Sequence, residues 1–246
     1  MTGAAQIMWA SHDEADPVFE SEPQWRGQPD ALDVPGAALR EASSVSDLGL
    51  FYTIGEAWAH LAARFARTDA PRVLDIGCGC GKMARFFVMN PRASYVGLDV
   101  FRPAIRWCRT AFANYPSFRF LHLDVHSELY NRTGRVPSDQ VALPVDDGSA
   151  DVVICGSLFT HLLEPAFRRY LLEVRRVLSG NGIALISIHD EPGEARFSGD
   201  EARIDISRAY WEELLREHEL SVEKFVGNVF GQQLYVVGRA PDAARS

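Results

Sequence analysis

The residues with the types and spacing to do chemistry are three acids, a run of glycines and one histidine. Val73-Leu74-Asp75-Ile76-Gly77-Cys78-Gly79-Cys80-Gly81-Lys82 sets glycines at alternate positions, two residues after an acid. Lacking a Cβ, glycine can take positive φ and lets a ligand approach the main chain closely. Asp99 lies 24 residues beyond Asp75. An acid one βαβ unit after a glycine turn can accept hydrogen bonds from both hydroxyls of a ribose. Asp124 is a third acid after a third apolar run, and His161 follows the fourth. A neutral imidazole near pH 7 can take a proton from an alcohol or acid. These residues imply a ribose-bearing cofactor held at a glycine turn, with a base beside it.

The elements that must position them can be read from periodicity. Arg72 to Ile76 is a short β-branched and apolar run, which suits a buried strand. The glycine turn follows, and Met83, Phe86 and Phe87 then have helical spacing. Strand, turn and helix in that order aim free N–H groups and a helix N-terminus at whatever sits over the turn. Tyr95 to Asp99, Phe118 to Leu123, Ala150 to Cys155 and Ile183 to Ile188 read as further strands. Helical faces lie between them: Ile105, Cys108, Ala111 and Phe112 after Pro103, then Leu163, Phe167, Tyr170, Leu171, Val174 and Leu178. Ile54, Trp58, Leu61, Ala62 and Phe65 make a helix ahead of the first strand, and Tyr210, Trp211, Leu214 and Leu215 one after the fifth. Ser179-Gly180-Asn181-Gly182 has stop-and-turn chemistry. Leu220 to Phe225 and Gln233 to Val237 read as a closing hairpin. Two long aperiodic stretches, 125–149 and 189–206, leave the carboxyl edge of the sheet, where open α/β folds bind ligands. The first is a candidate lid.

The glycine spacing separates two cofactor classes. Dinucleotide turns use G-x-G-x-x-G, which disfavours an NAD(P)-dependent oxidoreductase. The string here, D-x-G-x-G-x-G, resembles motif I of the class I S-adenosylmethionine-dependent methyltransferases. The resemblance extends over roughly Gly49 to Ala240 and includes Glu173-Val174-Arg175-Arg176-Val177-Leu178 in the run from strand four to strand five. It implies a Rossmann-like, doubly wound, seven-stranded, mostly parallel sheet with an antiparallel last strand and helices on both faces. It implies S-adenosyl-L-methionine as cofactor, released as S-adenosyl-L-homocysteine. The implied cofactor set is Asp75, Gly77, Cys78, Gly79, Gly81, Asp99, Val100, Asp124, Val125 and Gly156. In that set Asp124 would accept from the adenine amino group, with Val125 against the ring; the alternative for Asp124 is a loop cap. A non-catalytic protein that keeps the turn but has a blocked pocket is the other reading of the whole chain.

The 246 residues carry 25 Lys and Arg against 33 Asp and Glu, a net charge of −8. Such a chain has no general attraction for phosphate backbones. The family's Asn/Asp-Pro-Pro-Tyr signature for nucleobase amines is replaced after strand four by Gly156-Ser157-Leu158-Phe159. Both observations favour a small-molecule acceptor over nucleic acid; an oxygen nucleophile is preferred, with no residue pattern that fixes it. His161 is the candidate base; its alternative is packing among Phe159, Leu162 and Leu163 or capping the helix near Pro165, and Tyr130, His126 and His189 are its rivals. Four cysteines at 78, 80, 108 and 155 favour reduced thiols in the cytoplasm. Cys78-Gly79-Cys80 lacks a second Cys/His pair, so no metal is expected. No run approaches the ~20 apolar residues of a membrane helix, and the N-terminus lacks a signal-peptide pattern. Residues 1–46, with Trp9, Phe19 and Trp25, read as an irregular arm or flap, 47–240 as the domain and 241–246 as a tail. No pattern specifies an oligomeric state.

Overall fold

Arg72–Ile76 (β1) is buried at four of its five positions and pairs in parallel with Ser94–Asp99 (β2) on one side and Ala150–Cys155 (β4) on the other. Phe118–His122 (β3) extends the sheet beyond β2, and Leu178–Asp190 (β5) extends it beyond β4, both in parallel. Gln232–Arg239 (β9) runs antiparallel to β5, and Leu220–Val229 (β8) antiparallel to β9. The main sheet is therefore seven-stranded in the order β3-β2-β1-β4-β5-β9-β8, with β9 the reversed strand. The computed structural model describes residues 32–43, 45–190 and 195–241. Trp9, Phe19 and Trp25, and the tail beyond Pro241, lie outside the described residues.

Helices cover both faces. On one, Leu48–Phe65 (α2), Ala84–Phe87 (α3) and Arg102–Ala111 (α4) bury Trp58, Leu61, Phe86, Phe87 and Ile105 with Val73, Tyr95 and Val152 of the sheet. On the other, Glu164–Val177 (α5) and Arg208–Glu217 (α6) bury Phe167, Tyr170, Leu171, Trp211 and Leu214 with Leu74, Ile76, Leu98 and Val153. The alternation along β1, Val73 to one face and Leu74 to the other, is the period-two consequence of strand geometry. Trp211 is fully buried, its ring 5.7–6.4 Å from those of Tyr235, Phe167 and Phe159. Truncating a buried tryptophan to alanine costs about 3–5 kcal/mol, a large share of a domain's ~5–15 kcal/mol.

Four expectations differ from the structure. The helix after the glycine turn has only four residues; Met89 and Asn90 close onto Phe86 and Phe87 in tight turns, because the residue before Pro91 disfavours helical backbone. Ser179 to Asn181 form an irregularity inside β5, where Leu178 pairs with Ala150 and Ile183 with Val152, instead of a free turn. The stretch 189–206 contains a hairpin, Phe197–Asp200 (β6) with Arg203–Ile206 (β7), whose second strand joins the end of β5. Within the expected arm, Ala37–Ser43 (α1) is helical and folded onto the domain. Its Arg40 is buried and donates to the carbonyls of Pro35 and Ser46 at 2.6–3.0 Å.

The 125–149 stretch is tied down along its length. Val125 bridges Val136, Ser127 bridges Asn131, and Val141 and Leu143 enter the core beside α5. Leu143 N–H donates to the buried Glu173 carboxylate at 2.7 Å.

Candidate functional site

A cavity of about 370 Å³ opens at the carboxyl ends of β1, β2 and β4, within the size range of small-molecule sites. Its wall includes Gly77, Asp99, Val100, Val125, Gly156 and His161. Asp75, Cys78, Gly79, Gly81 and Asp124 of the expected cofactor set do not line it.

The turn explains part of that division. Gly77, Gly79 and Gly81 all have positive φ, at 85°, 52° and 74°, so the alternate glycines are conformational requirements. What a side chain would meet differs at each. At Gly77 a Cβ would make only ordinary contact with Leu158, at 3.7 Å. At Gly79 it would press on the Ser43 carbonyl of α1 at 3.1 Å, and at Gly81 on Phe112 and Cys108 at 3.0 and 3.2 Å. One glycine faces the cavity, one the leading helix and one α4. The turn's N–H groups are also not free, contrary to the expectation from its sequence. Gly77 and Cys78 donate to Leu98 O at 2.8 and 3.0 Å, Gly81 to Cys78 O at 3.0 Å, and Gly79 to Asp99 Oδ2 at 2.7 Å.

Asp99 is thus set by main chain from two sides, because Phe101 N–H donates to its Oδ1 at 2.7 Å. Each carboxylate oxygen keeps a lone pair. Burial pushes its pKa upward, against the pull of the two N–H donors, Lys82 and His122. Asp75 has another role. It is buried on the α2–α3 face, accepts the Tyr95 hydroxyl on Oδ2, and has no hydrogen-bond partner on Oδ1 among the described residues. Burial raises its pKa to about 7, opposed by Tyr95 and Lys82. Asp124 is turned to Arg135, which donates to it and holds its pKa low, and its main-chain oxygen accepts Val136 N–H at 2.9 Å. That is the loop-cap arrangement.

His161 stands just after β4 in a single turn, Phe159–His161. Its Nδ1 is 2.7 Å from Glu201 O, in the β6–β7 turn, and its ring meets Tyr130 edge-on at 5.9 Å. A carbonyl only accepts, so Nδ1 carries the proton and Nε2 of the neutral ring keeps its lone pair. Tyr130 and His126 share the wall; His189 does not line it. Glu201 Oε2 accepts Ser127 Oγ at 3.0 Å and Glu128 N–H at 2.8 Å, joining the hairpin tip to the 125–149 stretch.

Ser157 has φ of 58°, a conformation that costs a non-glycine residue about 1–2 kcal/mol. It is held there by its N–H donating to Ser187 Oγ at 2.9 Å and its hydroxyl donating to Gln232 at 3.1 Å. Lys82, Ser43, Glu201 and Gln232 line the cavity without having been singled out in the sequence. Lys82 adjoins the motif and was within reach of a sequence argument, as a cation next to the turn. Ser43, Glu201 and Gln232 come from distant elements and carry no local signal.

The residues present fit S-adenosylmethionine. Asp99 offers acceptors for the ribose, Lys82 a cation for a carboxylate, and Val100, Leu123 and Val125 an apolar surface for a base. Burial lowers the Lys82 pKa while Asp75, Cys80 and Asp99 raise it. Among the described residues no helix is long and apolar enough to cross a membrane.

A family model described as a methyltransferase domain matches residues 74–186. A phthiotriol/phenolphthiotriol dimycocerosates methyltransferase of Mycobacterium ulcerans is 32% identical over 128 residues, 51% of this chain and 40% of that protein. A fatty-acid O-methyltransferase of Mycolicibacterium smegmatis is 32% identical over 127 residues, again 51% and 40%. The chain spans about 40% of the length of these curated relatives. Among solved structures, the 1,6-didemethyltoxoflavin-N1-methyltransferase of Burkholderia thailandensis, with S-adenosylhomocysteine bound, superposes with a TM-score of 0.51 at 20% identity, over 86% of this chain and 94% of that one. Sheet order, glycine turn and family match agree: over residues 74–186 the chain matches the methyltransferase-domain family, in the Rossmann-like fold of the class I S-adenosylmethionine-dependent methyltransferases.

Proposed function

We propose that the protein transfers a methyl group from S-adenosylmethionine to an oxygen of a small molecule. The observation that carries this reading is the pairing, on one cavity wall, of Asp99 fixed by two main-chain donors with His161 fixed as the Nδ1–H tautomer. The names of two relatives, one acting on a fatty acid as an O-methyltransferase and one on phthiotriol dimycocerosates, support an acceptor that is a small molecule. Four buried cysteines without a disulfide support a reducing, cytoplasmic setting.

When bound, the cofactor supplies a methyl carbon already activated by a sulfonium. The chain has to bind, orient, exclude water and accept a proton. Asp99 takes the ribose hydroxyls, Lys82 balances the carboxylate, and Gly77 lets the ligand lie close to the main chain. Val125, with Val100, takes the apolar base. His161 Nε2 would accept the proton of the acceptor hydroxyl, a contribution of about 10²–10⁴ in rate for a positioned base. Holding the acceptor hydroxyl in line with the group to be transferred would supply much of the remainder. The domain in this reading runs from 47 to 240, with α1 as a flank that closes the turn.

Calorimetry with S-adenosylhomocysteine tests the reading. Saturable binding is expected, with none comparable for NAD or NADP. Asp99→Ala should weaken it by about 1.5–3 kcal/mol, the scale of hydrogen bonds to a charged group. Tight NAD binding, or an Asp99 variant with wild-type affinity, would overturn it.

A further inference from the structure

We infer that the acceptor is an uncharged molecule carrying several hydroxyl groups, a sugar or other polyol, and not a carboxylate. The inference rests on the methyl-transfer reading and deepens it by naming the substrate class.

The first observation is the charge of the acceptor wall. Glu201 lines the cavity, and its Oε2 is satisfied by a serine hydroxyl and a main-chain N–H, both neutral. No Lys, Arg or His forms an ion pair with it among the described residues. Lys82 is the one Lys or Arg among the described residues of the wall, and it sits by Asp75 and Asp99 on the cofactor side. A carboxylate entering beside Glu201 meets a like charge, and the described wall offers no Lys or Arg on that side to offset it, a repulsive element of the kind that sets specificity.

The second observation is Gln232, the first residue of β9. Its Oε1 accepts both Ser187 Oγ at 2.6 Å and Ser157 Oγ at 3.1 Å. Ser187 is fully buried and in turn accepts Ser157 N–H at 2.9 Å. The amide oxygen is consumed, so Gln232 offers its two N–H donors to a guest. A bound molecule must therefore give hydrogen bonds to Glu201 and receive them from Gln232. A hydroxyl does both; a carboxylate only accepts and an ammonium only donates. Ser138 and Tyr130 add two more hydroxyls to the same wall. One hydroxyl of the guest becomes the nucleophile: its oxygen gains the methyl carbon, its proton passes to His161, and the sulfonium leaves as a neutral thioether.

The test offers the full chain methyl-tritiated S-adenosylmethionine with matched pairs of methyl hexopyranosides and methyl hexuronosides, which differ only in the carboxylate at C6. Transfer is expected to at least one neutral hexoside, at least tenfold faster than to its uronoside. Glu201→Gln keeps an acceptor oxygen for Ser127 and Glu128 and removes the charge, so it should narrow that gap to under threefold. Gln232→Leu should lower transfer to the neutral hexoside at least tenfold with S-adenosylhomocysteine affinity unchanged. Faster transfer to uronosides, a gap that Glu201→Gln leaves intact, a Gln232→Leu variant with wild-type transfer, or no transfer to any hexoside by protein that binds S-adenosylhomocysteine overturns the inference. Protein that does not bind S-adenosylhomocysteine overturns the methyl-transfer reading itself, and the inference with it.

Discussion

Nδ1 of His161 lies 2.7 Å from the main-chain oxygen of Glu201, forty residues away in sequence. The contact sets the tautomer of the ring from outside the β4–α5 connection that carries it. His161→Ala should reduce turnover by about 10²–10⁴ and leave S-adenosylhomocysteine affinity nearly unchanged. Full turnover in the variant would return His161 to a packing role. Reduced affinity at full turnover would make it a binding residue.

The three glycines of the turn should fail in three different ways when replaced by alanine. All three would pay the cost of positive φ, about 1–2 kcal/mol. Gly77→Ala finds room beside Leu158, so its further effect should be on cofactor affinity. Gly79→Ala presses on the Ser43 carbonyl and should loosen α1, seen as faster amide exchange over 37–43. Gly81→Ala presses on Phe112 and Cys108 and should lower the melting temperature most. Equal affinity losses and equal melting temperatures in all three would remove this division.

Asp75 predicts a pH dependence of stability. Its carboxyl titrates at about 7 in the folded chain against 3.8 ordinarily. Between those values the native state holds a proton that the unfolded state has lost. Its contribution to stability is therefore full below about pH 4 and declines as pH rises to about 7, by up to a few kcal/mol. Asp75→Asn keeps an acceptor for the Tyr95 hydroxyl and removes the titration. Denaturant midpoints from pH 4 to 7 should fall more steeply for wild type than for the variant. Parallel curves would sink the assignment.

Ser157 should invert an ordinary order of stability. Gly and Ala variants both lose the hydroxyl bond to Gln232, so their difference isolates the backbone. At φ of 58° Ser157→Gly should be more stable than Ser157→Ala by about 1 kcal/mol. Chemical denaturation compares them, and an alanine variant as stable as the glycine variant would show that the position carries no strain.

The sheet and the glycine turn were legible because their signals are local. Apolar runs of five or six residues, alternate glycines and acids at strand ends are all contained in short windows, and the resemblance of the glycine turn to motif I implied the sheet those runs form. Asp75 and Asp99 separated only in three dimensions. Asp75 is the fourth of β1's five residues and faces α2 and α3, whereas Asp99 ends β2 on the cavity. The β6–β7 hairpin is hard to read from sequence because its alternation, buried Ile204 and Ile206 with the more exposed Arg203 and Asp205, spans only four residues. Ser43, Glu201 and Gln232 reach the site from elements far apart in the chain, a convergence that no window of sequence contains.

The serine pair behind Gln232 joins three pieces of the edge: the loop just after β4, the second half of β5 and the start of β9. On the far side Glu201 joins the hairpin tip to Ser127 and Glu128. Neither join involves a residue of β1 or β2. In the proposed reading, the part of the protein that holds the cofactor and the part that chooses the acceptor are thus separately fastened. Changes in the length or sequence of two turns could redirect the enzyme to new acceptors over evolutionary time while its methyl donor stays the same.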